Sequence, residues 1–378
     1  MHRLGLFVLV IAVLINSAKA ETKEFRGAWV ATVYNIDWPS APGLPAATQK
    51  AQLRAILDRA LELKLSAILL QVRPMSDALY ASPNEPWSQF LSGKQGVSPG
   101  YDPLEFAINE AHARGIELHA WVNPFRAASS ASAYLDEQHV AKRHPEWVRR
   151  FGAQLWIDPG EAAAREYVLG VVSDIVRRYP IDGLHIDDYF YPYPVKGSSF
   201  SDEASWTRFG LTSGLARNDW RRENINDFVR SLYRRVKEIK PAVQVGISPF
   251  GIWRPGVPPT IEAQLDAYDQ LFADSRKWLR EGWCDYLAPQ LYWSIEPPKQ
   301  SFPVLLEWWR AQSRGKAVWP GIATERIGAN RPAQEIVDEI ALTRRGTDSP
   351  GHIHWSMKAL MRNQGGIVER LRDIYGGE

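Results

Sequence analysis

The sequence is short of several things, and each shortage excludes a class of chemistry. One cysteine, Cys284, stands in 378 residues, so no intramolecular disulfide can form and a buried thiol is the expected role. Basic and acidic residues nearly cancel, 45 against 43, for a net charge of +2. That balance supplies no field to hold nucleic acid or an anionic membrane surface. No Gly-rich dinucleotide turn follows the first apolar strand, and neither G-x-S-x-G nor H-E-x-x-H occurs. His119, His185 and His354 have inward strand parity, and His352-Ile-His354 is an i, i+2 pair. Without a further ligand motif these are expected to be hydrogen-bonded barrel histidines, with no metal and no cofactor. Nor does any low-complexity linker or long charge run divide the chain.

Long apolar runs are scarce too. The one candidate is Leu4 to Ile15, after the basic start Met1-His-Arg3 and before Asn16-Ser-Ala-Lys-Ala20. Spanning ~30 Å of hydrocarbon needs ~20 apolar residues, so this run is too short for stable insertion. The small residues Ala18 and Ala20 make it a cleavable secretory signal over 1–20, cut before Glu21. No cysteine lies near that junction to carry a lipid. The expectation is a single domain over 21–378 in the periplasm or the medium, of open oligomeric state.

What is abundant is alternation. Strand-like runs at 25–32, 67–73, 117–123, 183–187, 244–248, 286–292, 317–323 and 352–357 are each followed by an amphipathic helix. The first helix, 46–64, places Leu53, Ile56, Leu57, Ala60 and Leu61 on one face. Asp102 caps the second, with Pro103 at its first position and Gly115 as its stop. The remaining helices fall at 161–178, 224–240, 271–281, 303–312, 332–344 and 366–375. Eight strand–helix pairs in strict order predict an α/β fold, a (β/α)8 TIM barrel. Its active site should lie at the C-terminal strand ends.

Those ends are rich in acids, amides, arginines and aromatics. At the fourth, Gly183 to Ile186 runs into Asp187 and Asp188, then Tyr189-Phe-Tyr-Pro-Tyr-Pro194. Paired carboxylates facing an aromatic loop suggest acid–base chemistry on a sugar, although Asp after a strand also binds loop amides. Other strand ends offer Asp37 and Trp38, Arg73 and Asp77, Asn123 and Arg126, Trp253, Gln290 with Tyr292 and Trp293, and Glu325. With Tyr189 these are the candidate substrate contacts, because aromatic faces suit apolar sugar faces while amides and acids bind hydroxyls. Trp355 belongs with the cleft, most other tryptophans with packing. Arg73 has an equally good structural reading, as an ion pair with Asp77 or Asp187. Glu325 has its own in Arg326.

Several segments, in order, carry a family likeness: Phe25-Arg-Gly-Ala-Trp-Val-Ala-Thr-Val-Tyr-Asn-Ile-Asp-Trp-Pro39, Gln71-Val-Arg-Pro74, Trp121-Val-Asn-Pro-Phe-Arg126, Asp182-Gly-Leu-His-Ile-Asp-Asp-Tyr-Phe-Tyr-Pro192, Gly246-Ile-Ser-Pro-Phe-Gly251 and Ala288-Pro-Gln-Leu-Tyr-Trp293. Together they resemble glycosyl-hydrolase-like family 10 across nearly the whole chain. The resemblance implies an exported bacterial glycosidase acting on cell-wall glycan, peptidoglycan strands stripped of stem peptides among them. Where some members look like lipoproteins, this chain has no lipobox cysteine.

The Asp-Asp end is also similar to the pair used by substrate-assisted N-acetylhexosaminidases. On that likeness Asp187 orients the 2-acetamido group that attacks the anomeric carbon, and Asp188 is the general acid. A two-carboxylate mechanism is the alternative, with Asp187 as nucleophile or base and Asp77, Asp37 or Glu325 as partner. A silent glycan-binding barrel and a metal-dependent deacetylase stay open at this point.

Overall fold

A computed structural model describes residues 23–296, 298–328 and 330–376. The proposed signal, 1–20, lies outside the described residues. Eight strand positions form one parallel sheet: β1 (Phe25–Val30), β2 (Ala67–Arg73), β3 (Glu117–Val122), β4 (Gly183–Ile186), β5 (Gln244–Ile247), β6 (Tyr286–Leu287), β7 in two pieces (Ala317–Val318 and Gly321–Ile322) and β8 (Gly351–His354). Neighbours in this order pair in parallel, and β8 pairs back onto β1 with Phe25 opposite Gly351. The first piece of β7 pairs with β6 and the second with β8, so the seventh position closes the ring. Pro320 explains the split: it has no N–H to give, and the ladder resumes one residue later. The fold is the (β/α)8 barrel expected from the alternation.

The helices follow their strands: α1 (Ala46–Glu62), α2 (Pro103–His112), α3 (Ala162–Arg178), α4 (Arg217–Ile239), α5 (Ser275–Arg280), α6 (Phe302–Gln312), α7 (Ala333–Arg344) and α8 (Ile367–Gly376). Asp102 caps α2 as its sequence promised, accepting from the Leu104 and Glu105 amides at 3.1 Å. Such a cap contributes about 0.5–2 kcal/mol. On α1 the expected face is buried at Leu53, Ile56, Leu57 and Ala60, but Leu61 is 51% exposed and belongs to the solvent side. Helix α4 starts at Arg217, ahead of the Asn224 expected from its apolar period, because its first turns are polar.

Strand parity divides the interior in two. Outward residues such as Ile68, Leu70, Leu118, Leu184 and Val245 pack under the helices, whereas Phe25, Trp29, Leu69, Trp121, Tyr286 and Ile353 fill the barrel. Two glycines make room for this filling. A Cβ on Gly246 would come 1.9 Å from the Tyr286 ring, and one on Gly183 would come 2.4 Å from His119. The long connection from β3 to α3 carries a small antiparallel sheet of 126–128, 154–157 and 148–151. Its Trp156 donates to the Phe190 carbonyl at 2.8 Å and so braces the loop after β4. Cys284 is fully buried, and burial pushes its thiol up to about 12. Among the described residues no helix is long and apolar enough to cross a membrane.

Candidate active site

β4 ends at Ile186, and the chain turns there. In a continued strand Asp187 and Asp188 would face opposite sides. The turn instead leaves both carboxyls buried at the C-terminal mouth, 2% and 4% exposed. Asp187 Oδ2 accepts from Trp121 Nε1 at 3.1 Å and from Asn123 Nδ2, while Oδ1 accepts from the Tyr189 amide at 3.3 Å. Asp188 Oδ2 is bonded to the Tyr193 hydroxyl, and Gln290 also hydrogen-bonds Asp188.

The amide orientations are fixed by backbone groups that can only donate. Gln71 Oε1 accepts from the Thr32 and Val33 amides at 3.0 and 2.9 Å. Its Nε2 therefore points to Asn123 Oδ1, 2.6 Å away. Asn123 must then present its nitrogen to Asp187. Gln290 is fixed by the opposite kind of group, a carbonyl that can only accept: its Nε2 donates to Ser248 O at 3.1 Å.

Burial pushes Asp187 up to about 7, with the charge of Asp188 adding, against the pull of Arg126 and the donated hydrogen bonds. Burial also raises Asp188, opposed by its bonds from Tyr193 and Gln290. Two desolvated carboxyls that feel each other's charge favour holding one proton between them. Arg126, buried, donates to the Pro74 carbonyl at 3.1 Å, and its guanidinium lies 4.6 Å from the Tyr189 ring centroid. Tyr292 faces Trp355 with centroids 6.5 Å apart, and Trp355 in turn meets Trp121 at 6.1 Å. Thus Asn123, Arg126, Tyr189, Gln290 and Tyr292 collect around the acid pair. Trp293 packs its edge on Phe250 at 5.6 Å, on the rim beside Gln290.

Other expected contacts are turned elsewhere. Trp38 is fully buried and donates to the Gln49 carbonyl of α1 at 2.9 Å, so it has no face for a sugar. Arg73 is 0% exposed and clamps Glu85 with bonds of 2.8 and 2.5 Å, in place of Asp77 or Asp187. Asp77 is buried on the Met75 amide and Gln95 at 3.1 and 3.4 Å. Asp37 joins two loops, accepting from Ala31 N, Ser356 Oγ and Lys358 N at 2.8, 2.6 and 2.7 Å. Trp253 points outward to Asp274, Tyr268 and Trp308. Of the candidate partner carboxylates, Glu325 alone has an oxygen, Oε2, buried without a hydrogen-bond partner, and its other oxygen is 3.7 Å from Arg326.

Gln71, Trp121 and Tyr193 were missing from the site read in sequence. Inward parity one step below the strand ends is the signal for the first two. Nothing periodic marks Tyr193. The histidines hold the barrel filling together: His185 Nε2 meets Trp29 Nε1 at 3.2 Å, and Tyr286 Oη joins His185 and His119 at 3.0 and 2.9 Å. His354 is bonded to Thr324 at 2.8 Å and His352 to Tyr375 at 2.6 Å.

A closed barrel whose mouth holds buried paired acids, amides and aromatic rings defines a glycoside hydrolase. The family model described as glycosyl hydrolase-like 10 matches residues 24–337, and the chain belongs to that family. It is 39% identical over 386 residues to glycosyl hydrolase YngK of Bacillus subtilis (strain 168), covering 98% of this chain and 75% of the relative. It is 33% identical over 334 residues to glycosyl hydrolase DigH of Escherichia coli (strain K12), covering 82% and 76%. Among solved structures, the PgaB (BpsB) glycoside hydrolase domain from Bordetella bronchiseptica superposes with a TM-score of 0.64 at 14% identity, covering 93% of this chain and 99% of that one. An endo-1,4-beta-mannanase from Rhizomucor miehei gives 0.58 at 10% identity, covering 94% and 95%. These two likenesses concern the fold alone.

Proposed function

We propose that this glycoside hydrolase is exported and cleaves cell-wall glycan, peptidoglycan strands freed of stem peptides, with Asp187 and Asp188 as the catalytic pair. One observation carries the assignment of roles. Trp121 Nε1 and Asn123 Nδ2 on Oδ2 and the Tyr189 amide on Oδ1 can only donate, so both oxygens of Asp187 are held as acceptors, which favours its anion. Asp188 is bonded by Gln290 as well, but the partner of its Oδ2 is a hydroxyl, which can donate to a carboxylate or accept from a carboxylic acid. The shared proton therefore belongs on Asp188.

The chemistry follows from that asymmetry. Asp187 accepts the N–H of the substrate's 2-acetamido group and turns the acetamide oxygen onto the anomeric carbon. As the oxygen–carbon bond forms, the glycosidic bond breaks and Asp188 gives its proton to the leaving oxygen. Asp188, now ionised, takes a proton from water as that water opens the cyclic intermediate. Glycan of the cell wall carries the acetamido group this route requires. Tyr189, Gln290, Tyr292, Trp293 and Glu325 are proposed as contacts for the flanking sugars, with Arg126 lowering the cost of charge at the pair. The basic–apolar–small order of residues 1–20 supports export.

Mass spectrometry of digests tests the proposal. Purified peptide-free strands should yield shorter oligosaccharides with one water added per cut. Intact cross-linked wall should yield few. No product from any acetamido glycan would sink it.

A further inference from the structure

We propose that a depression between α1 and the short helix Met357–Met361 is a binding site for a carboxylate-bearing sugar, with Lys358 and Arg362 as its anion receptor. The cavity measures about 310 Å³. That is the small end of ligand pockets, ~300–1,000 Å³, and suits one sugar unit rather than a chain. Ile36, Ile56, Met357 and Met361 give it an apolar wall.

Its other polar groups are already engaged. Asp37 accepts from three donors. Gln52 exchanges bonds of 3.0 and 2.7 Å with Ser40. Asn35 Nδ2 donates to the Pro39 and Phe90 carbonyls, both at 2.9 Å. Lys358 and Arg362 differ: the charge of Lys358 acts on Asp37 beside it, but among the described residues neither side chain makes a hydrogen bond or a salt bridge. They stand one helical turn apart, so both heads reach the same ligand. Lys358 is half-buried against the apolar wall, which raises the value of a counter-ion there.

The lining charge selects the ligand. Two cations and Asp37 sum to +1, which matches a monoanionic carboxylate better than a doubly charged phosphate. An apolar wall beneath the cations takes the apolar face of a pyranose ring. Trp355 borders the acid pair through Trp121, and the next residue, Ser356, holds Asp37 at the cavity's edge. The depression thus lies against the loops after β8 and β1 that flank the catalytic mouth, a position for a further unit of a bound glycan. This rests on the glycan-hydrolase function proposed above. Two sources share the chemistry, the lactyl ether of a muramic-type unit and a hexuronic acid.

The test titrates the mature protein with N-acetylmuramic acid, glucuronic acid and neutral N-acetylglucosamine, in wild type, Lys358→Met and Arg362→Gln. One or both acids should bind and the neutral sugar should not. Each substitution should weaken acid binding by roughly 10- to 100-fold, the scale of a charge-assisted hydrogen bond. Binding of only the first acid identifies the lactyl source, and of only the second a uronic source. Failure of both acids to bind, equal binding of the neutral sugar, or indifference to both substitutions overturns the proposal. Hydrolysis of chito-oligosaccharides, which have no carboxylate, should be unchanged in both variants. If wild type cleaves no glycan, the catalytic proposal fails on its own while the titration still reads the cavity.

Discussion

Asn123 turns its amide nitrogen, not its oxygen, toward Asp187, because Gln71 leaves it no alternative. The orientation begins at two backbone N–H groups, Thr32 and Val33, and passes through two side-chain amides before reaching the carboxylate. β2 and the segments just past the ends of β1, β3 and β4 supply the links. The donors that favour an anionic Asp187 are therefore built into the barrel rather than left to the loop.

Gln71→Glu should break this chain without removing volume. A carboxylate still accepts from Thr32 and Val33 but has no proton for Asn123. Asn123 would then turn its nitrogen toward residue 71 and set an oxygen against Asp187. A loss of about 10²-fold in kcat is expected, the scale of one preorganised donor. Because the anion loses a donor, the acidic limb of the kcat–pH profile should also move to higher pH. A lowered rate with an unmoved limb would make Gln71 merely structural.

Arg73 is expected to matter for stability, not for substrate. Its guanidinium and Glu85 are both fully buried in a two-point ion pair. Arg73→Leu would strand the Glu85 carboxylate, at a cost of about 3–5 kcal/mol. Thermal melting should show that loss, and Arg73→Lys should recover part of it. The KM of either variant at low temperature should match wild type. A normal melting temperature with a raised KM would return Arg73 to the cleft.

The sequence disclosed the barrel because a parallel strand buried on both faces and an amphipathic helix have different periods, and eight repeats leave little ambiguity. It was less clear about the site, since strand-end position is not the same as an open side chain. Asn123 and Gln290 follow the inward parity of their strands and do reach the acid pair. Arg73 ends β2 and Trp38 lies in the loop after β1, yet Glu85 and Gln49, 12 and 11 residues further along, claim them. Tyr193 reaches Asp188 through a loop conformation that no periodicity encodes. Leu61 is the one error on α1, at the edge of an apolar stripe where neighbouring helices decide burial.

The acid pair should also leave a mark on stability. Burial raises both carboxyls, Asp187 from 3.8 to about 7 with the charge of Asp188 adding, so the pair as a unit keeps one proton, which the proposed roles place on Asp188. Between those values the native state binds the proton more than the unfolded chain does. Stability from this group is thus full below about pH 4 and declines as pH rises toward 7. Asp187→Asn removes the second charge that makes the pair keep this proton, so wild type should lose melting temperature relative to the variant between pH 4.5 and 7.5. A difference that stays flat across that range would contradict a proton shared by the buried pair.

Asp188→Asn tests the division of labour directly. General acid catalysis is typically worth ~10²–10⁴ in rate, and the fold should survive because Tyr193 and Gln290 can both bond an amide. On natural glycan kcat should fall by about that factor. Aryl glycosides with activated leaving groups need little protonation, so they should keep most of their rate. Asp187→Asn should behave differently, slowing every acetamido substrate irrespective of leaving group, because it weakens closure of the cyclic intermediate. A thiazoline mimic of that intermediate should inhibit wild type strongly, as species resembling the transition state do. Trapping a covalent glycosyl–Asp187 ester, or equal cleavage of glycans without an acetamido group, would instead make Asp187 the nucleophile. The search for the acid would then pass to Glu325, whose Oε2 has no partner, and not to Asp77, whose oxygens are both held in their loop.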